Sequence, residues 1–124
     1  MSEVTNNPEP IVSNERVWVG FDLGGTKMMA VVFNDKLEVL GKKRRKTRDK
    51  EKDGVQPERL TETIRMALED AKVDASAVQG IGAGCPGPLD LKKGVILEAP
   101  NLGWKNVPLQ DYLSKEFNCP AEIC

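Results

Sequence analysis

The sequence predicts an α/β domain built on a mixed sheet whose first strands run antiparallel. Three observations carry this expectation. Residues 17–46 hold three apolar, strand-like runs joined by short turns, as an antiparallel meander requires. Residues 57–72 and a segment from Pro108 onward place apolar side chains at helical spacing. Each helical segment is followed by a short apolar run, and a strand after such a helix usually returns to the same sheet. The expected order is βββαβ…αβ.

The elements follow in chain order. Residues 1–15 are polar and hold two prolines, which reads as a disordered arm. Val17-Trp18-Val19-Gly20-Phe21-Asp22-Leu23 is β-branched, aromatic and apolar, hence a buried strand. Gly24-Gly25-Thr26 turns the chain, and residues 28–33 form the second strand. Asn34-Asp35 has hairpin chemistry, and a third strand is expected from Leu37 to about Lys46. Pro57 suits a first helical turn. Leu60, Ile64, Ala67, Leu68 and Ala71 then recur on one face. Residues 78–83 read as a short buried strand. Residues 84–108 are rich in Gly and Pro and read as surface loops around a small hairpin, LKKGVILE. Leu109, Tyr112, Leu113 and Phe117 give the second helix its apolar face. Pro120 is expected to end that helix, and Ala121-Glu122-Ile123-Cys124 to open another strand.

Composition narrows the function. The chain has 124 residues, 40% hydrophobic and 30% charged, which fits one soluble globular domain. Eighteen Lys and Arg against 19 Asp and Glu leave a net charge of -1. Residues 42–52, KKRRKTRDKEK, nevertheless concentrate eight of the basic residues. No aromatic is interleaved with them, so a base-stacking nucleic-acid surface is not expected. A solvated edge strand and loop is, because Lys on an edge blocks strand-to-strand aggregation. With no histidine, Ser-His-Asp and Cys-His catalysis are excluded within these residues. Cys85, Cys119 and Cys124 read as free thiols in a reducing cytoplasm. No apolar run approaches the ~20 residues of a membrane helix.

Three glycine-rich segments carry chemistry. In Asp22-Leu23-Gly24-Gly25-Thr26-Lys27, a carboxylate at a strand end precedes two glycines, a hydroxyl and an ammonium. The glycines let the backbone take positive φ and approach a ligand closely. N–H groups in such a turn make an anion-binding concavity. Asp22 suits a hydrated Mg²⁺, which takes one or two carboxylates plus phosphate oxygens. A plain β-hairpin turn would use the same glycines. Gly82-Ala83-Gly84-Cys85-Pro86-Gly87 matches G-x-G-x-x-G formally, but Pro86 and Pro88 remove donors and no amphipathic helix follows. A dinucleotide fold is therefore excluded, and no P-loop motif occurs. A rigid loop that offers its backbone to a small ligand is the better account. In Ala99-Pro100-Asn101-Leu102-Gly103-Trp104, the Asn101 amide suits sugar hydroxyls, while Trp104 reads as a core corner.

In this order and spacing, VGFDLGGTKMMAVVF, QGIGAGCPGPLD and GVILEAPNLGWKNVPLQDYL resemble the ROK family of sugar kinases and sugar-responsive repressors. The likeness covers about residues 16–124. It implies the actin-like ATPase (ribonuclease H-like) fold, of which residues 16–124 would be the N-terminal lobe, the C-terminal lobe being absent. It further implies ATP and Mg²⁺ as cofactors and a hexose as substrate, as in glucokinase. By resemblance, Asp22, Gly24, Gly25, Thr26 and Lys27 face ATP and Mg²⁺, and Gly87 and Asn101 touch the sugar. The family's catalytic base would fall just beyond Cys124, so the chain alone is expected to be inactive. Two other roles are a sugar-responsive regulator and a non-catalytic module that homodimerises through an exposed inter-lobe or sheet face. About sixteen residues before the first strand are too few for a winged helix-turn-helix.

Overall fold

A computed structural model describes residues 15–49 and 54–124. The expected arm, apart from Glu15, and the last part of the basic run lie outside the described residues. Five strands form the main sheet: β1 (Val17–Leu23), β2 (Lys27–Phe33), β3 (Val39–Lys46), β4 (Val78–Gly84) and β8 (Ala121–Ile123), in the order β3-β2-β1-β4-β8. β1, β2 and β3 are antiparallel neighbours. β4 joins β1 in parallel, and β8 joins β4 in parallel. The mixed sheet read from the sequence is therefore present, with β1 at its centre.

Strand alternation decides which face is core. Val17, Val19, Phe21 and Leu23 of β1 are buried, as are Met28, Ala30 and Val32 of β2, which pair with them on the same face. That face is covered by α1 (Pro57–Ala71), packed on β2 and β3, and by α2 (Leu109–Phe117), packed on β4 and β8. Leu60, Ile64, Ala67 and Leu68 are the buried stripe of α1, and Leu109, Leu113 and Phe117 that of α2. Trp18, Gly20 and Asp22 alternate onto the opposite face. There a shallow groove of about 420 Å³ is lined by Trp18, Gly20, Phe33, Gly80, Gly82 and Glu122. Among the described residues, no helix is long and apolar enough to cross a membrane.

Four expectations about the elements and their ends need correction. Leu37 does not begin the third strand: it sits in the β2–β3 turn at φ 64° and is 76% exposed. Buried Asn34 holds that turn, its Oδ1 accepting from the N–H groups of Lys36 (3.0 Å) and Glu38 (2.9 Å), so pairing restarts only at Val39. Lys72 is not the last helical residue of α1 but its left-handed cap, donating to the carbonyls of Leu68 and Glu69. α2 is ended by Asn118, at φ 52° with its N–H on the Ser114 carbonyl, before Pro120 is reached. Finally, residues 84–108 are less irregular than their Gly and Pro content suggests. β5 (Leu89–Asp90), β6 (Val95–Ala99) and β7 (Trp104–Val107) form a small antiparallel sheet. The hairpin is as expected; β7 was hidden by Gly103 and Asn106, both in the left-handed region.

The part of the basic run that lies in β3, residues 42–46, is an edge, as expected. β3 closes one side of the sheet, and most of its residues after Gly41 are exposed. Gly41 itself is buried against α1: a Cβ there would lie 2.5 Å from the Ala71 nitrogen and 2.7 Å from the Ala67 carbonyl oxygen. Helix backbone cannot step aside as a side-chain tip can. Gly41→Ala should therefore destabilise the fold by about 1–3 kcal/mol in urea unfolding. Gly82→Ala, whose Cβ would meet nothing within 4 Å, should change it by less than about 0.5 kcal/mol.

Candidate functional site

The three parallel strands end together. At the carboxyl end of β1, Asp22 pairs in register with Gly84 of β4. A Cβ on Gly84 would stand 4.0 Å from Asp22 Oδ1, an ordinary contact distance, so the carboxylate lies directly beside β4. β8 continues the row: the Cys124 N–H donates to the Ala83 carbonyl (2.9 Å), and the Cys85 N–H to the Cys124 carbonyl (2.8 Å). In open α/β sheets, ligands bind outside the carboxyl ends of the strands. Asp22 is exposed there.

The β1–β2 turn rises beside it. The Gly24 N–H donates to the Lys27 carbonyl at 3.0 Å, and a Cβ on Gly24 would come within 2.7 Å of that oxygen. The expectation of positive φ at this turn fails, since neither Gly24 nor Gly25 adopts it. Gly24 is required by close backbone approach instead. Gly25, Thr26 and Lys27 are exposed, and Lys27 lies opposite Lys46 in the β2–β3 register.

The loop between β6 and β7 meets this turn. A Cβ on Gly25 would stand 3.7 Å from Asn101 Nδ2, so two segments separated by most of the chain are neighbours. Gly87 is exposed on the loop that leaves β4 at the same end of the sheet, before β5. Trp104 is buried and donates from Nε1 to the Val55 carbonyl at 2.6 Å, a core corner rather than a ligand platform. No group of three or more Cys, Asp or Glu side chains that could hold a metal ion occurs among the described residues.

Three residues that brace the loops around this site, without lining it, escaped the sequence reading. Thr47 Oγ1 donates to the Gly24 carbonyl (2.8 Å), and the Thr47 N–H to the Thr26 carbonyl (2.9 Å). Arg48 donates to the Asn101 carbonyl. Arg59 of α1 donates from Nε to the carbonyls of Lys46 and Thr47, each at 3.1 Å. One signal was available: Thr47 is the single uncharged residue of KKRRKTRDKEK. A cavity of about 190 Å³ nearby, lined by Arg45, Glu58, Arg59 and Glu62 among others, lies between β3 and α1. Its charges are largely committed, with Arg45 on Glu62 at 3.2 Å, and it belongs to packing rather than to the site.

Burial pushes the Cys85 thiol up to about 12, with further contributions from neighbouring Cys124 and Asp22. Burial also raises Cys119. Cys85 is thus held as a neutral thiol and is a poor nucleophile. A thiol of ordinary value ionises first in the unfolded chain, so stability present below pH 9 should fall as pH rises from 9 towards 12. Urea unfolding at pH 8 and pH 10.5 checks this: Cys85→Ser should lose less stability over that interval than the wild type.

A lobe with this sheet order, helices on one face and a glycine turn at the carboxyl end of its central strand has the actin-like ATPase fold. The chain belongs to the ROK family, whose pattern it matches over residues 18–124. It resembles the ROK hexokinase of Thermus thermophilus with a TM-score of 0.72 and 35% identity, over 87% of this chain and 34% of that one. A ROK glucokinase from Streptomyces griseus, solved with glucose and AMPPNP, aligns with a TM-score of 0.64 and 28% identity, over 86% of this chain and 32% of that one. The xylose repressor of Caldicellulosiruptor bescii is 38% identical over 64 residues, 52% of this chain and 16% of that protein. The chain thus spans about a third or less of the length of these relatives.

Proposed function

We propose that this lobe supplies the phosphate-holding half, and part of the sugar-holding half, of an ATP-dependent hexose kinase of the glucokinase type. The observation that carries the reading is the approach of Asn101 to the Gly25 turn, into which β1 leads from exposed Asp22. Likeness to a kinase solved with glucose and an ATP analogue supports it.

Each residue then has a physical task. The exposed backbone at Gly25 and Thr26 receives phosphate oxygens, with the Thr26 hydroxyl as an added donor and Lys27 as added positive charge. Asn101 fixes a sugar hydroxyl with its amide, and the Gly87 backbone bounds the sugar on the β4 side. The residues fit Mg²⁺ in the way that ion is usually held: one open carboxylate, Asp22, with water and phosphate completing the shell. When bound, Mg²⁺ neutralises charge on the phosphate chain. Phosphoryl transfer otherwise depends on holding the sugar hydroxyl in line with the phosphate, which the approach of the two loops would favour.

The reading places the base that receives the hydroxyl proton just beyond Cys124, and the adenine site on a second lobe. Binding is the direct test. Asp22→Asn should weaken Mg·ATP about tenfold, the loss of one charge-assisted contact, and leave glucose unaffected. Asn101→Ala should weaken glucose and spare Mg·ATP. Calorimetry reads both, and if neither substitution moves its own ligand the assignment fails. Glucose or xylose binding with no response to Mg·ATP would favour a sugar-responsive regulator, the reading to which the xylose repressor likeness points.

A further inference from the structure

We propose that Thr47 and Arg48 form a strap that couples the phosphate turn to the Asn101 loop, so that the two substrate-facing segments move as one body. What those segments bind rests on the function proposed above; the mechanical link rests on geometry alone.

Thr47 is fully buried, and both of its donors go to the same turn. Its hydroxyl holds the Gly24 carbonyl and its N–H the Thr26 carbonyl, one on each side of Gly25. A buried hydroxyl needs a partner, but a carbonyl of its own strand or of α1 would have satisfied it equally well. The next residue, Arg48, reaches the other way and donates to the Asn101 carbonyl. One dipeptide therefore grips both loops. Arg59 anchors it to α1 through the Lys46 and Thr47 carbonyls. At the far end of the same connection, Val55 donates to the Leu102 carbonyl at 2.9 Å and accepts from Trp104 Nε1. The Asn101 loop is thus tied to the β3–α1 connection at two points, and the phosphate turn is tied to it at Thr47. Displacing the turn must move Thr47, then Arg48, then Asn101.

A purely local pin would act only on the turn. Amide hydrogen exchange on the intact chain separates the two cases. Thr47→Val, which removes the hydroxyl and keeps the shape, should raise exchange about tenfold at residues 24–27 and also at 99–104, the loss of roughly one buried hydrogen bond. Thr47→Ser should restore both segments. Arg44→Gln, on the same strand but touching neither loop, should change neither. Arg48→Gln leaves the core intact should Thr47→Val fail to fold; it should loosen 99–104 first and 24–27 with it. Loosening confined to 24–27 in Thr47→Val, or to 99–104 in Arg48→Gln, overturns the strap. In calorimetry, Mg·ATP should tighten glucose binding to the wild type, and Arg48→Gln should abolish that tightening while each ligand alone binds within about threefold of normal. If the wild type binds neither ligand, the calorimetry is silent on coupling, and the exchange result alone decides the strap.

Discussion

Everything in this lobe is positioned by β1. It is hydrogen-bonded on both sides, antiparallel to β2 and parallel to β4, and four of its seven side chains are buried beneath the helices. A strand so enclosed cannot shift by one residue, because a slip would send Val17, Val19, Phe21 and Leu23 to the wrong face. The same parity delivers Asp22 to the uncovered face, at the strand's last turn outward. The location of the charged group is thus a by-product of core packing: hydrophobic burial sets the register, and the register aims the carboxylate.

The neighbouring strands convert that single placement into a site. Parallel pairing with β4 and then β8 brings three carboxyl ends to one side, while the antiparallel hairpin to β2 folds its glycine turn over the same edge. Glycine works differently at each position. At Gly24 it admits a carbonyl, and at Gly41 it lets a helix lie directly on the edge strand. Arg45 is spent on Glu62, Arg59 reaches the strand's last carbonyls, and Lys27 and Lys46 stand across from each other at the turn.

Much of this was legible in the residues, for identifiable reasons. β1, β4 and the stripe of α1 have strong periodicity and matched their expected bounds closely, because burial and period agree there. Asp22 to Lys27 and Asn101 could be singled out as candidates, since glycine and proline mark where backbone is exposed to a ligand. What stayed hidden depends on partners far away in sequence. Thr47 gains its meaning from the register that lays it against Gly24 and Thr26. β7 exists because β6 is there to pair with it, although its own four residues read as turn. Leu37 was misplaced because its apolar side chain outweighed the turn that Asn34 builds around it.

The contrast between the two kinds of pairing around β1 has a kinetic side. The β1–β2–β3 meander joins residues close along the chain, whereas β1–β4 pairing must bring Val17 to Val78, and β4–β8 pairing Ile81 to Ala121. Contacts that close long loops cost more chain entropy before any stabilising contact forms, so they lag. The glycine turn is then complete while Asp22 still lacks Gly84 beside it and Asn101 has yet to arrive. During refolding the β1–β2 turn should thus be protected before the Asn101 loop, an order that pulse-labelled exchange at residues 24–27 and 99–104 reads directly.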